Sequence, residues 1–132
     1  MVTDIKKIAL AACSGMSPYG LITRVACSDK VESSNNVISI CMGATSADRE
    51  GFRKLIKKYP IIAVNGCDAG CVDKILKGKG VISTESLNVM KLLDEEELKP
   101  LKVSRLDEEG EKSVESVKKR ITKILDEIQN IE

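Results

Sequence analysis

Apolar residues along the chain fall into short dense runs separated by segments of helical spacing. Ile5 to Ala12 (IKKIALAA), Val37 to Ile40 (VISI) and Ile61 to Val64 (IIAV) are too short for buried helices and rich in Ile, Val, Leu and Ala, which predicts strands covered on both faces. Each run ends just before a cysteine loop: Cys13, Cys41, and Asn65-Gly66-Cys67. Between the runs the pattern turns helical. Ser17-Pro18 reads as a hydroxyl cap followed by proline at the first helical position, opening a helix from about Pro18 to Val31. Thr45 or Ser46 is expected to cap a second helix, with Asp48 and Glu50 in its first turn, Phe52, Leu55 and Ile56 on its apolar face, and its end at Tyr59-Pro60. Asp68 is expected to cap a third, holding Cys71, Val72, Ile75 and Leu76 and stopped by Gly78-Lys79-Gly80.

Strand, cysteine loop and helix thus recur in the same order, the pattern of βαβ units in a parallel sheet. The expected fold is α/β, a small three-layer sandwich with a mostly parallel sheet and helices on both faces. Beyond the third helix, Val81-Ile82 and Leu87 to Met90 predict a further short strand or sheet edge. Asp94 to Glu97 reads as a solvated acidic turn or short helix, ended by Pro100. Val114, Val117, Ile121, Ile124, Ile128 and Ile131 alternate spacings of three and four, predicting an amphipathic helix over about 112–131 that covers one face of the chain's own sheet. A dimer seam is the other reading of that stripe, leaving a monomer or a homodimer. Residues 1–132 read as one metal-thiolate α/β domain, without internal sequence repeat or low-complexity linker.

Composition then removes several classes of function. A net charge of +1 over 132 residues gives no field to hold nucleic acid or anionic lipid, so neither nucleic acid nor a membrane is expected as partner. The first apolar run is too short for a membrane span, and Asp4 sits where a signal peptide carries its basic region, so the expected location is the cytoplasm. There thiols stay reduced, and the five cysteines read as ligands or reactive groups in place of disulfides. The chain has no His, which removes the commonest general base and leaves Cys, Asp and Glu as metal ligands. Its aromatic residues, Tyr19, Phe52 and Tyr59, are too few to stack bases or a large aromatic cofactor.

In a parallel sheet all strand carboxyl ends lie along one edge, with helix N-termini aimed at it. Cys13, Cys41 and Cys67 each follow a strand, and Cys71 falls in the first turn of the helix after Cys67, so the fold would bring four thiols to one locality. Four such thiols suit a tetrahedral soft ion, zinc foremost, or an iron–sulfur cluster. Helix N-terminal dipoles would offset the negative charge and also make the thiols reactive without metal. Free Cys is also a common small core residue; the strand-tip placement argues against that reading for these four, while mid-helix Cys27 reads as structural. Asp68 and Asp73 could replace a ligand, although acids in a first helical turn are more often partners of the dipole.

Ala12-Cys13-Ser14-Gly15-x-Ser17-x-x-Gly20, the lone Cys41 after the second strand, and Asn65-Gly66-Cys67-x-x-x-Cys71 together resemble the zinc-binding DGC-domain family, named for an Asp-Gly-Cys motif. The resemblance covers roughly residues 5 to 80. It implies zinc as the metal and Cys13, Cys41, Cys67 and Cys71 as its chelating cysteines. The chain departs from the motif at Asn65, where the family has aspartate; any role of that carboxylate is then in question here, and the ligands are untouched.

Three functions of different classes follow. The first is a zinc-binding protein, structural or regulatory, with metal at the carboxyl edge of the sheet. The second is a thiol-dependent sulfurtransferase or redox protein using Cys41 or Cys67. Phosphatase-like chemistry lacks its Arg, since the residues six beyond Cys13, Cys41 and Cys67 are Tyr19, Ala47 and Asp73, and the chain has no C-x-x-C pair. The third is an iron–sulfur electron carrier, against which the cysteine spacing is not that of a ferredoxin. A protein partner and a substrate are not legible.

Overall fold

The computed structural model describes residues 7–13, 15–66 and 68–130. Strands β1 (Ile8–Ala12), β2 (Val37–Ile40), β3 (Ile61–Asn65) and β4 (Glu85–Asn88) form one sheet in the order β2-β1-β3-β4. Every pairing is parallel, with Ala11 opposite Ile40 and Ala63, and Asn65 opposite Asn88. The helices are α1 (Pro18–Ser33), α2 (Met42–Ser46), α3 (Glu50–Lys58), α4 (Cys71–Gly78), α5 (Val89–Glu95) and α6 (Glu108–Asn130).

Alternation along the two central strands builds two cores. Ile8 and Leu10 of β1 and Ile62 and Val64 of β3 face a large cluster made with α1, α5 and α6. Ala9, Ala11, Ile61 and Ala63 face the other way, onto Ile56 of α3 and Val72 and Leu76 of α4. Burial on both faces is why these runs are continuously apolar, and the result is the expected α/β sandwich with helices on both sides of the sheet. The sheet is wholly parallel where a mostly parallel one was expected.

In α6, Val114, Val117, Ile121, Ile124 and Leu125 are buried against α1 and the sheet. Each large aliphatic side chain so covered contributes about 1.5–3 kcal/mol. Polar ties flank the seam, Lys30 Nζ donating to Thr122 Oγ1 at 2.8 Å and Lys118 lying 3.3 Å from Asp29. The helix begins ahead of the expected 112 because Asp107 caps it, its Oδ1 accepting from Gly110 N at 2.8 Å.

Several local expectations are corrected. The segment after β2 is two helices, not one capped by Thr45 or Ser46: Cys41 is the cap of α2, and Thr45 lies inside it with Oγ1 donating to the Cys41 carbonyl at 2.8 Å. Asp48, at φ 65°, ends that first segment before Arg49 opens α3. Asp68 does not cap α4. Gly70, at φ 62°, is its N-cap, and Asn65 Oδ1 on β3 accepts from Val72 N at 3.0 Å in place of a local cap. Val81-Ile82 lies outside the strands with Ile82 fully open to solvent, and Val89-Met90 starts α5 instead of finishing β4. The part of the first predicted strand at Ile5 and Lys6 lies outside the described residues, and Lys7 precedes β1.

The strand order decides where a site belongs. From β1 the chain crosses through α1 on one face to β2; from β3 it crosses through α4 on the opposite face to β4. The loops leaving β1 and β3 therefore part company, opening a crevice at the carboxyl ends of adjacent strands, the topological switch point at which ligands of such sheets bind.

Candidate functional site at the sheet switch point

The loop after β1 is fixed by backbone bonds and by glycine. Cys13 N donates to the Val64 carbonyl at 3.0 Å, carrying the β1–β3 ladder one step beyond the strand. Ser17 caps α1, its Oγ accepting from Gly20 N at 3.0 Å, while Ser17 N donates to the Gly15 carbonyl at 2.9 Å. This folds the Gly15 carbonyl onto Gly20, where any Cβ would collide with it. A Cβ on Gly66 would stand 3.3 Å from Cys13 Sγ and 3.5 Å from Gly20 N. The two cysteine motifs, far apart in sequence, are thus halves of one packing unit whose glycines admit the Cys13 thiol between strand end and helix start.

Of the four predicted ligands, Cys13 is half-buried at this switch point. Cys41 is exposed on the neighbouring strand end, its Sγ accepting from Ala44 N at 3.5 Å, a long contact to a weak acceptor. It borders a small cavity of about 200 Å³ shared with Ala12, Arg24, Cys27, Ser28 and Gly43, on the α1 side of the sheet. Cys71 is exposed as the first residue of α4. Cys67 lies outside the described residues. Cys27 is in the core as expected, 3% exposed, and burial pushes its thiol up to about 12.

Sequence reasoning missed the polar anchor of α4. Asp73 accepts from Asn65 Nδ2 and Ser86 Oγ at Oδ2 and from Ser83 Oγ at Oδ1, each at 2.7 Å. Partial burial opposes ionisation of this carboxyl, but the bonds from Ser86, Ser83 and Asn65 outweigh it and hold the group below its ordinary range. Beside it, Asn88 Nδ2 donates to Asp68 Oδ1 at 2.7 Å, and Asn88 Oδ1 caps α5 by accepting from Lys91 N at 3.1 Å. Nothing in the local pattern of Asn65 or Asp73 announces this network, because its members come from β3, α4, β4 and the turn before it.

The donor chemistry fits a soft divalent ion: the predicted set is four thiols, and no His competes. The spacing is open. Among the described residues, no three His, Cys, Asp or Glu side chains are grouped so as to hold a metal ion. Both oxygens of Asp73 are committed to hydrogen bonds, which makes it a poor substitute ligand. A larger surface cavity, about 610 Å³, is elsewhere, lined by Glu96, Glu115, Lys119, Arg120 and Lys123 of α6 and the turn after α5, and its lining has neither a thiol nor charges of one sign. Among the described residues no helix is long and apolar enough to cross a membrane.

None of the curated proteins and none of the solved structures matches the chain. A family model does: that of the DGC domain matches residues 9–122, from β1 to the middle of α6. That span takes in both cysteine motifs, all of the sheet but Ile8 and the first part of α6, reaching well past residue 80, where the motif resemblance ends. The chain belongs to the DGC-domain family.

Proposed function

We propose that this protein binds one zinc ion through Cys13, Cys41, Cys67 and Cys71, in a structural or regulatory role within the reduced cytoplasm. The observation that carries the reading is topological: two of the cysteine loops leave the adjacent strands β1 and β3 at the switch point, with the Cys41 loop on the next strand beside β1. A tetrahedral zinc with Zn–S bonds of about 2.3 Å needs sulfurs about 3.8 Å apart. Cys13 sits at the centre of the edge, whereas Cys41 and Cys71 are exposed, so loading draws these outer thiols inward. Metal binding then orders the cysteine loops and adds to stability.

A second reading is favoured by one observation, the placement of Cys41 at a helix cap beside a cavity bordered by Arg24. An exposed thiol accepting a backbone N–H, on a cavity that Arg24 also lines, suits thiol-dependent sulfur transfer or redox chemistry.

Elemental analysis and an absorption spectrum of protein purified without added metal separate these readings. One zinc per chain in a colourless sample, lost in Cys13→Ser and Cys71→Ser but kept in Cys27→Ser, is the expected result. Iron with acid-labile sulfide would replace zinc by a cluster. Absence of metal together with fast alkylation of Cys41 would overturn the zinc reading in favour of thiol chemistry. Equal metal loss in Cys27→Ser would overturn the ligand assignment.

A further inference from the structure

The helix that carries Cys71 gets no side-chain cap from the residue that precedes it. Its N-cap is Gly70, with no side-chain hydrogen bond. Instead Asn65, the last residue of β3, bridges strand and helix with both ends of its amide. Oδ1 accepts from Val72 N at 3.0 Å, and Nδ2 donates to Asp73 Oδ2 at 2.7 Å. Ser83 and Ser86 tie the same carboxylate to β4 and the turn before it. Asn65 is 5% exposed and stands in register with Asn88, which fastens the other side of the loop through Asp68.

We infer that Asn65 and Asp73 are positioning residues for Cys71: an amide–carboxylate clamp that docks the first turn of α4 against the tip of β3, beside Cys13. The inference rests on the zinc reading for its functional consequence and on hydrogen bonding alone for the clamp. Polarity matters as much as shape. The side chain at 65 must accept from Val72 N on one atom and donate to Asp73 on the other, which an amide does and an ionised carboxylate does not. Aspartate at 65 keeps the first bond and turns the second into two carboxylate oxygens in contact. Asparagine at 73 then restores a donor facing a carboxylate, so the second change repairs the first.

The test compares wild type, Asn65→Asp, Asp73→Ala and the exchanged pair Asn65→Asp/Asp73→Asn. Zinc affinity is read by competition with a chromophoric chelator, and backbone hydrogen exchange over residues 70–76 is followed by mass spectrometry in metal-free protein. Partners that orient metal ligands are worth roughly 10- to 100-fold in metal affinity, so Asn65→Asp and Asp73→Ala are expected to bind zinc about tenfold or more weakly. Their 70–76 amides are expected to exchange up to about tenfold faster, the effect of one lost hydrogen bond. The exchanged pair recovers both toward wild type, a rescue that a general loss of stability would not give. Unchanged exchange and affinity in the single variants, or an exchanged pair no better than Asn65→Asp alone, overturns the clamp. If wild type binds no zinc, the metal reading falls by itself, and hydrogen exchange decides the clamp: rescue upholds it and no change overturns it.

Discussion

The carbonyl oxygen of Gly15 occupies the space that a Cβ on Gly20 would need, so the loop bearing Cys13 can lie against α1 only while residue 20 has no side chain. Helix propensity alone argues the other way, because Gly→Ala inside a helix gains up to about 1 kcal/mol. Here backbone meets Cβ, and backbone cannot rotate aside. Gly20→Ala is expected to destabilise by about 1–3 kcal/mol, the usual cost of overpacking. Gly51 in α3 supplies the opposite case, since a Cβ there meets nothing within 4 Å. Gly51→Ala is expected to stabilise by about 0.5–1 kcal/mol. Urea melts of the two variants check the pair, and a loss at both positions would show that Gly51 is also held by packing.

Burial of Cys27 makes stability fall at alkaline pH. The fold raises this thiol from the ordinary 9.0 to about 12. Between those values the native state keeps a proton that the unfolded chain releases, so the contribution is whole below about pH 9 and is lost as pH rises toward 12. The loss amounts to about 4 kcal/mol if the chain stays folded that far. Lysines and tyrosines titrate in the same range, so the measured quantity is the difference between wild type and Cys27→Ala. That variant is expected to be about 1 kcal/mol less stable at pH 7 for the small void it leaves. Above pH 9 the gap should close and then reverse. A gap constant with pH would mean that the thiolate finds solvent in the native state.

Thiol labelling should follow burial. Cys41 and Cys71 are exposed, Cys13 is half-buried and Cys27 is in the core. In metal-free protein at neutral pH, a maleimide read peptide by peptide is expected to modify Cys41 and Cys71 first and Cys13 more slowly. Cys27 should react only when the chain unfolds, because the thiolate is the reacting species. Equal labelling of Cys27 and Cys41 in the native state would contradict the core assignment.

How much of this was legible in the sequence depends on whether a feature is set locally. Ser17-Pro18 opens α1 as read, because a cap and a proline act within one turn. Val37–Ile40 is a strand as read, because alternation and β-branching are local too. Cys41 and Asn65 were read only as a thiol and a departure from a motif, yet each caps a helix. Asn65 acts across seven residues on a helix whose own start, Gly70, offers no side chain. Asp68 looked like that cap, being polar and just ahead of the apolar face, but its carboxylate is taken by Asn88 from the neighbouring strand. A polar residue's partner is chosen by tertiary placement, which periodicity does not encode. Asp107 caps α6 by a bond to Gly110 only three residues on, yet the apolar stripe that predicts this helix starts at Val114, so the expected start fell short of the cap.

The last prediction concerns α6, whose apolar stripe could have served a second chain. Ile121 is fully buried where α6 meets α1 and the sheet, while Ile82 is 87% exposed. If the stripe belongs to the chain's own core, Ile121→Ala should cost about 2–5 kcal/mol, a transfer loss plus the cavity left behind. That cost should be the same at every protein concentration. A seam between copies would make the melting temperature of wild type rise with concentration, because association stabilises by mass action. Ile82→Ala, stripping a side chain that already meets water, should stay within about 0.5 kcal/mol. Thermal melts of the three proteins over a hundredfold concentration range measure both effects. A concentration-dependent wild type together with a tolerant Ile121 would move the stripe from the core to an interface.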